Sequence, residues 1–380
     1  MDLYFDNAAT SWPKPPGVVN SLRVYQRRAG ASAGRGAYPR AQASRAVLDR
    51  CRDSVATLFN APDPQRVIFT LNCSDALNLA LHGFAWKPGD RVLLTPFEHN
   101  SVLRPLHRLK EEVGVILDVM PVDVDGRVDV ERVPRLLKAR TRLIACVHAS
   151  NVTGVVQPVD ALGAFAKKKG IPFLVDAAQS SGAWPLDVQK MNIDLLAFPG
   201  HKGLLGPLGT GALIIAPGLD LKTLREGGTG SLSENETQPD FLPDRFEPGS
   251  HNAPGLLGLT EGIKFIKKLG GPKAVRRHEK ALLDQFREGL SSCKNVDFFG
   301  PRSTDHQVAV VSLRCQNESP TKTAARLWAQ HRVMVRAGLH CAPWAHRQIG
   351  TFPSGTFRFS FGPFVTSRHI DHALSSLREL

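Results

Sequence analysis

Short apolar runs that end on a polar residue recur along the first two-thirds of the chain, with segments of helical spacing between them. Val67-Ile-Phe-Thr70, Arg91-Val-Leu-Leu-Thr95, Val115 to Met120, Leu143 to His148, Ile171-Pro-Phe-Leu-Val175, Leu195-Leu-Ala-Phe198 and Thr210 to Ile215 read as strands. Asn72-Cys-Ser-Asp75 opens a helix whose Ala76, Leu77, Leu79, Ala80 and Leu81 suit a buried face. A polar helix is expected over roughly Val130 to Ala139, and Asp160 is placed to cap another that runs to Lys169. Strand and helix in regular alternation predict an α/β fold with a doubly wound, mostly parallel sheet.

The ends of the chain have a different rhythm. Asp6-Asn-Ala-Ala-Thr10 and the proline-rich Trp12-Pro-Lys-Pro-Pro16 read as an extended arm, followed by a helix from about Val18 to Arg28 and a Gly/Ala/Ser/Arg loop from Ala29 to Arg40. The polar, proline-dotted stretch Ser231 to Pro248 has no core signature. A helix from about Gly255 to Lys268 stops at Gly270-Gly271. Beyond it a helix near Arg277 to Ser291, strands at Val308 to Arg314 and Met334 to Ala337, and a helix from Ser367 predict a smaller α+β C-terminal domain.

Composition narrows the class. With 380 residues, 42% of them hydrophobic, the chain is long enough for a large domain and a smaller one. No apolar run reaches bilayer-spanning length and the N-terminus carries acid where a signal peptide needs positive charge, so a cytoplasmic protein without membrane contact is expected. The 6 cysteines, Cys51, Cys73, Cys146, Cys293, Cys315 and Cys341, show no metal-type spacing and read as reduced thiols, with no metal site. The net charge of +13 would suit a polyanion, but the basic residues are dispersed. The one dense run, Lys167-Lys-Lys169, sits where a helix C-terminus favours cations, so no nucleic-acid partner is expected. An acidic protein partner stays open.

Two strand ends carry the candidate chemistry. Ile171 to Val175 delivers Asp176, with Gln179 beside it, and Leu195 to Phe198 leads through Pro199 and Gly200 to His201 and Lys202. Open α/β sheets bind ligands in the crevice at the carboxyl ends of their strands. An acid facing a ring nitrogen and an amine able to condense with an aldehyde are what pyridoxal 5'-phosphate requires.

These stretches, with Asp6-Asn-Ala-Ala-Thr10, Glu98-His-Asn-Ser101, His148-Ala-Ser-Asn151, Phe246-Glu-Pro-Gly-Ser250, Arg336-Ala-Gly-Leu-His-Cys341 and Gly355-Thr-Phe-Arg358, resemble the class V aminotransferases. Within that family the likeness is to the cysteine desulfurase and selenocysteine lyase group. The resemblance implies the fold type I of pyridoxal-phosphate-dependent transferases, with residues 15–264 as the large cofactor-binding domain and residues 1–14 and 265–380 as the small one.

It also implies roles. Lys202 would carry the cofactor, Asp176 hold its ring nitrogen, His99 stack on the ring and act catalytically by shuttling protons, and Asn151 and Gln179 reach its phenolic oxygen. Cys73, Ser74 and His201 would bind phosphate, with Ser250 reaching the phosphate of a neighbouring subunit in a homodimer. Asn151 and Arg358 would bind the substrate carboxylate, and Cys341 would take sulfur from L-cysteine as a persulfide, releasing L-alanine, with a sulfur-acceptor protein downstream. A loop that brings Cys341 to the substrate is expected. L-Selenocysteine as substrate, a C–S lyase or aminotransferase activity, and a catalytically silent basic scaffold are the alternatives. Pro199 stands where the family has a small hydroxyl residue, Cys73 where it has a hydroxyl, and Leu339 where it commonly has His.

Overall fold

The computed structural model describes residues 2–34 and 36–380, so that Met1 and Arg35, the latter within the Gly/Ala/Ser/Arg loop, lie outside the described residues. The strands in chain order are β1 (Leu3–Tyr4), β2 (Val67–Thr70), β3 (Arg91–Leu94), β4 (Ile116–Val119), β5 (Thr141–Val147), β6 (Phe173–Asp176), β7 (Leu195–Pro199), β8 (Gly211–Ile215), β9 (Val296–Phe299), β10 (Val310–Cys315), β11 (Val333–Met334), β12 (Arg336–Gly338) and β13 (Thr356–Ser360).

Seven of them form one sheet in the order β2-β8-β7-β6-β5-β3-β4. Only β8 runs against its neighbours, so β2, β3, β5, β6 and β7 all point their C-terminal ends to one edge. Phe173, Leu174 and Val175 are all buried, as are Leu195 to Phe198, because helices cover both faces and an alternating pattern would bury polar groups. One core lies between the sheet and the helices Pro39–Phe59, Val159–Lys169 and Ala253–Lys268, and another between the opposite face and the helices Cys73–Gly83 and Asn100–Val113.

The C-terminal part builds a four-stranded antiparallel sheet, β12-β13-β10-β9, with its own aromatic core of Phe286, Phe357, Phe359 and Phe361. The N-terminal arm belongs to it: β1 pairs with β11, Asp6 bridges to Ser360, and the Phe5 ring packs on Phe359.

Several expectations change. The polar helix over Val130 to Ala139 is instead a single 3-10 turn, Val133–Leu136, because Pro134, inside the expected helix, lacks the N–H that would bond back to the Val130 carbonyl, and only Val133 of the turn is buried. Asp160 does not cap its helix. Pro158 occupies that position without a side-chain bond, and Asp160 lies in the first turn, where its charge complements the dipole. The helix expected over Val18 to Arg28 is two, Pro16–Val19 and Ser21–Arg28. The stretch Ser231 to Pro248 ends in core after all, with Phe246 buried and Glu247 making a two-pronged pair to Arg52 at 2.8 Å.

Candidate active site

Each strand that points to the common edge delivers a polar side chain there. β2 leads to Asn72, whose side chain accepts from the Asp75 N–H and so caps the helix Cys73–Gly83. β3 leads to His99, the N-cap of the helix Asn100–Val113, with Nδ1 accepting from the Ser101 N–H at 3.1 Å. β5 leads to Asn151, β6 ends at Asp176, and β7 is followed by His201 and Lys202. Cys73, Ser74, His99, Asn151, Asp176, Gln179, His201 and Lys202 line one pocket of ≈ 90 Å³, with Pro199 on its wall. The approach is close: a Cβ on Gly203, next to Lys202, would collide with the Ser181 carbonyl, so glycine there lets the lysine loop lie on the turn after Asp176.

Burial sets the protonation of the pocket. It pushes Asp176 up from the usual carboxylate range, opposed by the Ala178 N–H bond at 2.8 Å and by Lys202. The Cys73 thiol is pushed well above its ordinary value by burial and then by Asp176, and donates to Asp176 Oδ1 at 3.5 Å. Cys73 therefore serves the carboxylate with its side chain, and only its main chain is left for a phosphate. Lys202 is pulled below its ordinary value by burial, with Cys73 and Asp176 opposing and Arg358 and Arg336 adding to the effect. Burial and the charge of Lys202 bring His99 down to about 4. Its ring is neutral near pH 7, and since Nδ1 accepts from Ser101, the proton is on Nε2.

The residues present fit pyridoxal phosphate on their own chemistry. His201 Nδ1 and Asn151 Oδ1 are buried without a hydrogen-bond partner among the described residues, and both residues line the pocket. Unpaired polar atoms in such a place are waiting for a polar ligand. The helix Cys73–Gly83 opens with Asn72, Cys73 and Ser74 on the wall, an electrostatically favourable place for a phosphate. Asp176 would face a ring nitrogen from the other side.

Other residues expected in the site stand around the pocket. Arg358 is 2% exposed; its Nη1 donates to the Asn151 carbonyl and its Nη2 to Asp6 Oδ1, each at 2.9 Å, while Nε has no partner among the described residues. Cys341 is exposed, whereas Cys51, Cys73, Cys146, Cys293 and Cys315 are buried. It sits in a tight turn closed by the Ala342 N–H bond to the Leu339 carbonyl, with φ of 48° at His340 and 57° at Cys341. Asn151 Nδ2 donates to the His340 carbonyl at 2.6 Å and the Asn100 N–H to the Cys341 carbonyl at 2.7 Å. The thiol thus rides on a turn hydrogen-bonded to Asn151 of the pocket wall. Ser250 is exposed and lies on the rim of a different hollow, beside Glu247 and His251.

Four participants, Ser101 and the arm residues Thr10, Ser11 and Lys14, escaped the sequence reading. Ser101 Oγ links His99 Nδ1 at 2.9 Å to Ser74 Oγ at 2.6 Å. The arm residues Thr10, Ser11 and Lys14 converge on the His201 carbonyl, with Lys14 Nζ at 2.7 Å and burial bringing its amine down to about 8. The run Thr10-Ser-Trp-Pro-Lys14 offers donors, but only the folded arm brings them to the peptide before Lys202. Among the described residues no group of His, Cys, Asp or Glu could hold a metal ion, and no helix is long and apolar enough to cross a membrane.

The aminotransferase class-V family model matches residues 3–372. A probable cysteine desulfurase of Pyrococcus abyssi is 36% identical, covering 100% of this chain and 94% of that protein. A cysteine desulfurase of Pectobacterium atrosepticum is 31% identical over 99% of this chain and 92% of its own length. Among solved structures, the apo cysteine desulfurase of Thermococcus onnurineus superposes with a TM-score of 0.92 at 34% identity, over 100% of this chain and 94% of that one.

Proposed function

Because this chain belongs to the class V aminotransferase family, we propose that it is a pyridoxal-phosphate-dependent cysteine desulfurase, acting as a homodimer in the cytoplasm. The overall reaction takes L-cysteine and the Cys341 thiol to L-alanine and a Cys341 persulfide. The cofactor, when bound, supplies an electron sink for the bonds around the substrate's Cα. The observation that carries the reading is the pairing of Asp176 and Lys202 in one pocket whose Asn151 is bonded to the peptide just before the exposed Cys341.

The chain's own residues divide the work. Asp176, buried in the pocket wall, would hold a ring N–H. Lys202, its proton affinity depressed by burial, would bind the cofactor covalently and later move a proton at the substrate's Cα. His99, neutral near pH 7, would stack on the ring. Cys341 attacks the substrate sulfur as a thiolate, and the sulfur's bond to Cβ breaks as its own bond to Cys341 forms. Arg358 and Asn151 bind the carboxylate. Ser250 lines a hollow other than this subunit's pocket and would serve a partner subunit's phosphate.

The test is product analysis. Purified holoenzyme given L-cysteine should yield alanine, with loss of the cofactor's visible band and of all turnover in Lys202→Ala. Pyruvate with ammonia instead would assign a C–S lyase, and keto-acid-dependent amino transfer an aminotransferase. Faster turnover of L-selenocysteine than of L-cysteine would assign the selenium substrate. No product and no visible band would leave a non-catalytic scaffold.

A further inference from the structure

A trough crosses the edge of the seven-stranded sheet opposite the pocket. It consists of two adjoining hollows of ≈ 540 Å³ and ≈ 630 Å³ that share Gly170, Ile171, Pro172 and Leu219. Its walls are the turns that lead into β5, β6 and β7 and the turn that leaves the reversed β8, so it passes the ends of four neighbouring strands. Strands about 4.8 Å apart make that a run of about 14 Å, the length of about four extended residues. The floor is apolar: Leu137, Ile171 and Leu219 are half-buried and pack against the cores on the two sides of the sheet. The rim is basic. Lys138, Arg142 and Lys169 line the larger hollow and Lys167 the other; all four are exposed, and among the described residues none has an ion pair or a side-chain hydrogen bond. The two acids of the lining are already engaged, for Asp194 accepts the Phe173 N–H at 2.8 Å and Asp220 pairs with Arg245 at 2.8 Å. A helix end accounts for Lys167 and Lys169. Lys138 follows a 3-10 turn and Arg142 belongs to β5, so no α-helix end accounts for their meeting Lys169 at one hollow.

We propose that this trough is a docking groove for an acidic segment of a partner protein, an extended peptide whose apolar side chains lie on Leu137, Ile171 and Leu219 while its carboxylates meet Lys138, Arg142 and Lys169. Unanswered cations beside an apolar floor are complementary to a chain that alternates acid and hydrocarbon, and the Arg142 fork suits a carboxylate. A nucleic-acid backbone would gain nothing from the apolar floor, and single-stranded bases stack on exposed aromatic faces, whereas Phe84, the aromatic residue of the lining, is buried. Because the trough lies at the far edge of the sheet from the pocket, a partner held there leaves the pocket open, and docking and turnover can proceed together.

The proposal does not depend on which reaction the pocket performs. Its probe is a short fluorescein-labelled peptide of alternating glutamate and leucine, whose binding to the whole protein is followed by fluorescence anisotropy. Binding should be saturable and weaken with added salt. In the triple variant Lys138→Glu, Arg142→Glu, Lys169→Glu the dissociation constant should rise about tenfold, roughly what three surface ion pairs contribute together. The triple variant Lys294→Glu, Lys322→Glu, Arg368→Glu makes the same change in net charge at exposed positions of the C-terminal part and should bind nearly as wild type does. Oligoglutamate of the same length should bind more weakly, having nothing to lay on the floor. Circular dichroism and the holoenzyme's visible band should be the same in all three proteins. No saturable binding, equal weakening by the two triple variants, or oligoglutamate as tight as the mixed peptide would each overturn the proposal. Tighter binding of a single-stranded oligonucleotide, lost in the first triple variant, would overturn it in favour of nucleic acid.

Discussion

At the scale of single residues, chemistry here is assigned by what a side chain is not bonded to. Asp176 and Cys73 lie side by side, and burial keeps the thiol protonated, so it can only donate. Cys341 differs from the other thiols in exposure and in backbone: it follows His340 through two consecutive left-handed conformations without a glycine. Non-glycine residues in that region cost on the order of 1–3 kcal/mol each and persist where the surroundings hold them. Asn151 and Asn100 supply that hold. Brief alkylation of the folded protein with iodoacetamide should therefore label Cys341 alone, read by peptide mass spectrometry, with the remaining thiols reacting only after denaturation. Equal labelling of Cys73 or Cys146 in the native protein would contradict the burial on which their assignment depends.

At the scale of elements, a carboxylate outside the chemistry contributes to how stability responds to pH. Glu279 lies in the helix Pro272–Gly289, 6% exposed, on the wall of a small hollow shared with Lys202, Gln179 and Ser360. Burial raises it to about 8, with Arg276 opposing. The folded protein thus keeps a proton that the unfolded chain releases near pH 4.5. Since the folded state binds more protons between those values, stability falls as pH rises through that window and levels off above about 8. Glu279→Gln, neutral throughout, should lack this component. The variant's melting temperature relative to wild type should climb from pH 5 to pH 9, measured by scanning calorimetry, and a constant difference would refute the assignment.

Elements also mark where the sequence was legible. Strands buried on both sides, such as Leu195 to Phe198, announce themselves as continuous apolar runs. The helix Asn100–Val113 did not, because Pro105 interrupts its pattern, although Val102, Leu103, Leu106 and Leu109 make one buried face. The 21-residue helix Pro39–Phe59 was hidden by arginines on its outer face, yet Val47, Leu48, Cys51, Val55 and Phe59 recur at helical spacing. In the other direction, Val130 to Ala139 carried helix-forming composition around Pro134, and the proline prevailed. For the pocket, the residue types Asp176, Lys202, His99 and Asn151 could be read from the chain. The latch of Lys14 on the His201 carbonyl and the pairing of Arg358 with Asp6 could not, because both join positions far apart in sequence.

At the scale of the whole molecule, the arm that forms those contacts ties the two sheets together, and the surface beside it is left apolar. Trp12 is 55%, Val19 69%, Leu22 57% and Leu208 67% exposed. Val19 and Leu22 belong to the helices Pro16–Val19 and Ser21–Arg28, which pack on the helix Ala253–Lys268, and Leu208 follows Pro207, which lies close to Gly258 of that helix as Ser21 does. Large exposed apolar side chains in this part of the surface are the kind of residue that a protein contact covers. In the proposed homodimer a second copy of the chain would cover them without needing any other component, since a two-fold interface uses the same patch twice. Exposed Ser250, at the rim of its own hollow, then has a partner subunit's pocket to serve. Sedimentation of the wild-type protein should give a dimer. The double variant Val19→Glu and Leu22→Glu should give a folded monomer by circular dichroism, with cofactor bound more weakly if Ser250 acts across the interface. A monomeric wild type, or a dimer indifferent to both charges, would place the contact elsewhere and remove the reason for assigning Ser250 to a neighbour's phosphate.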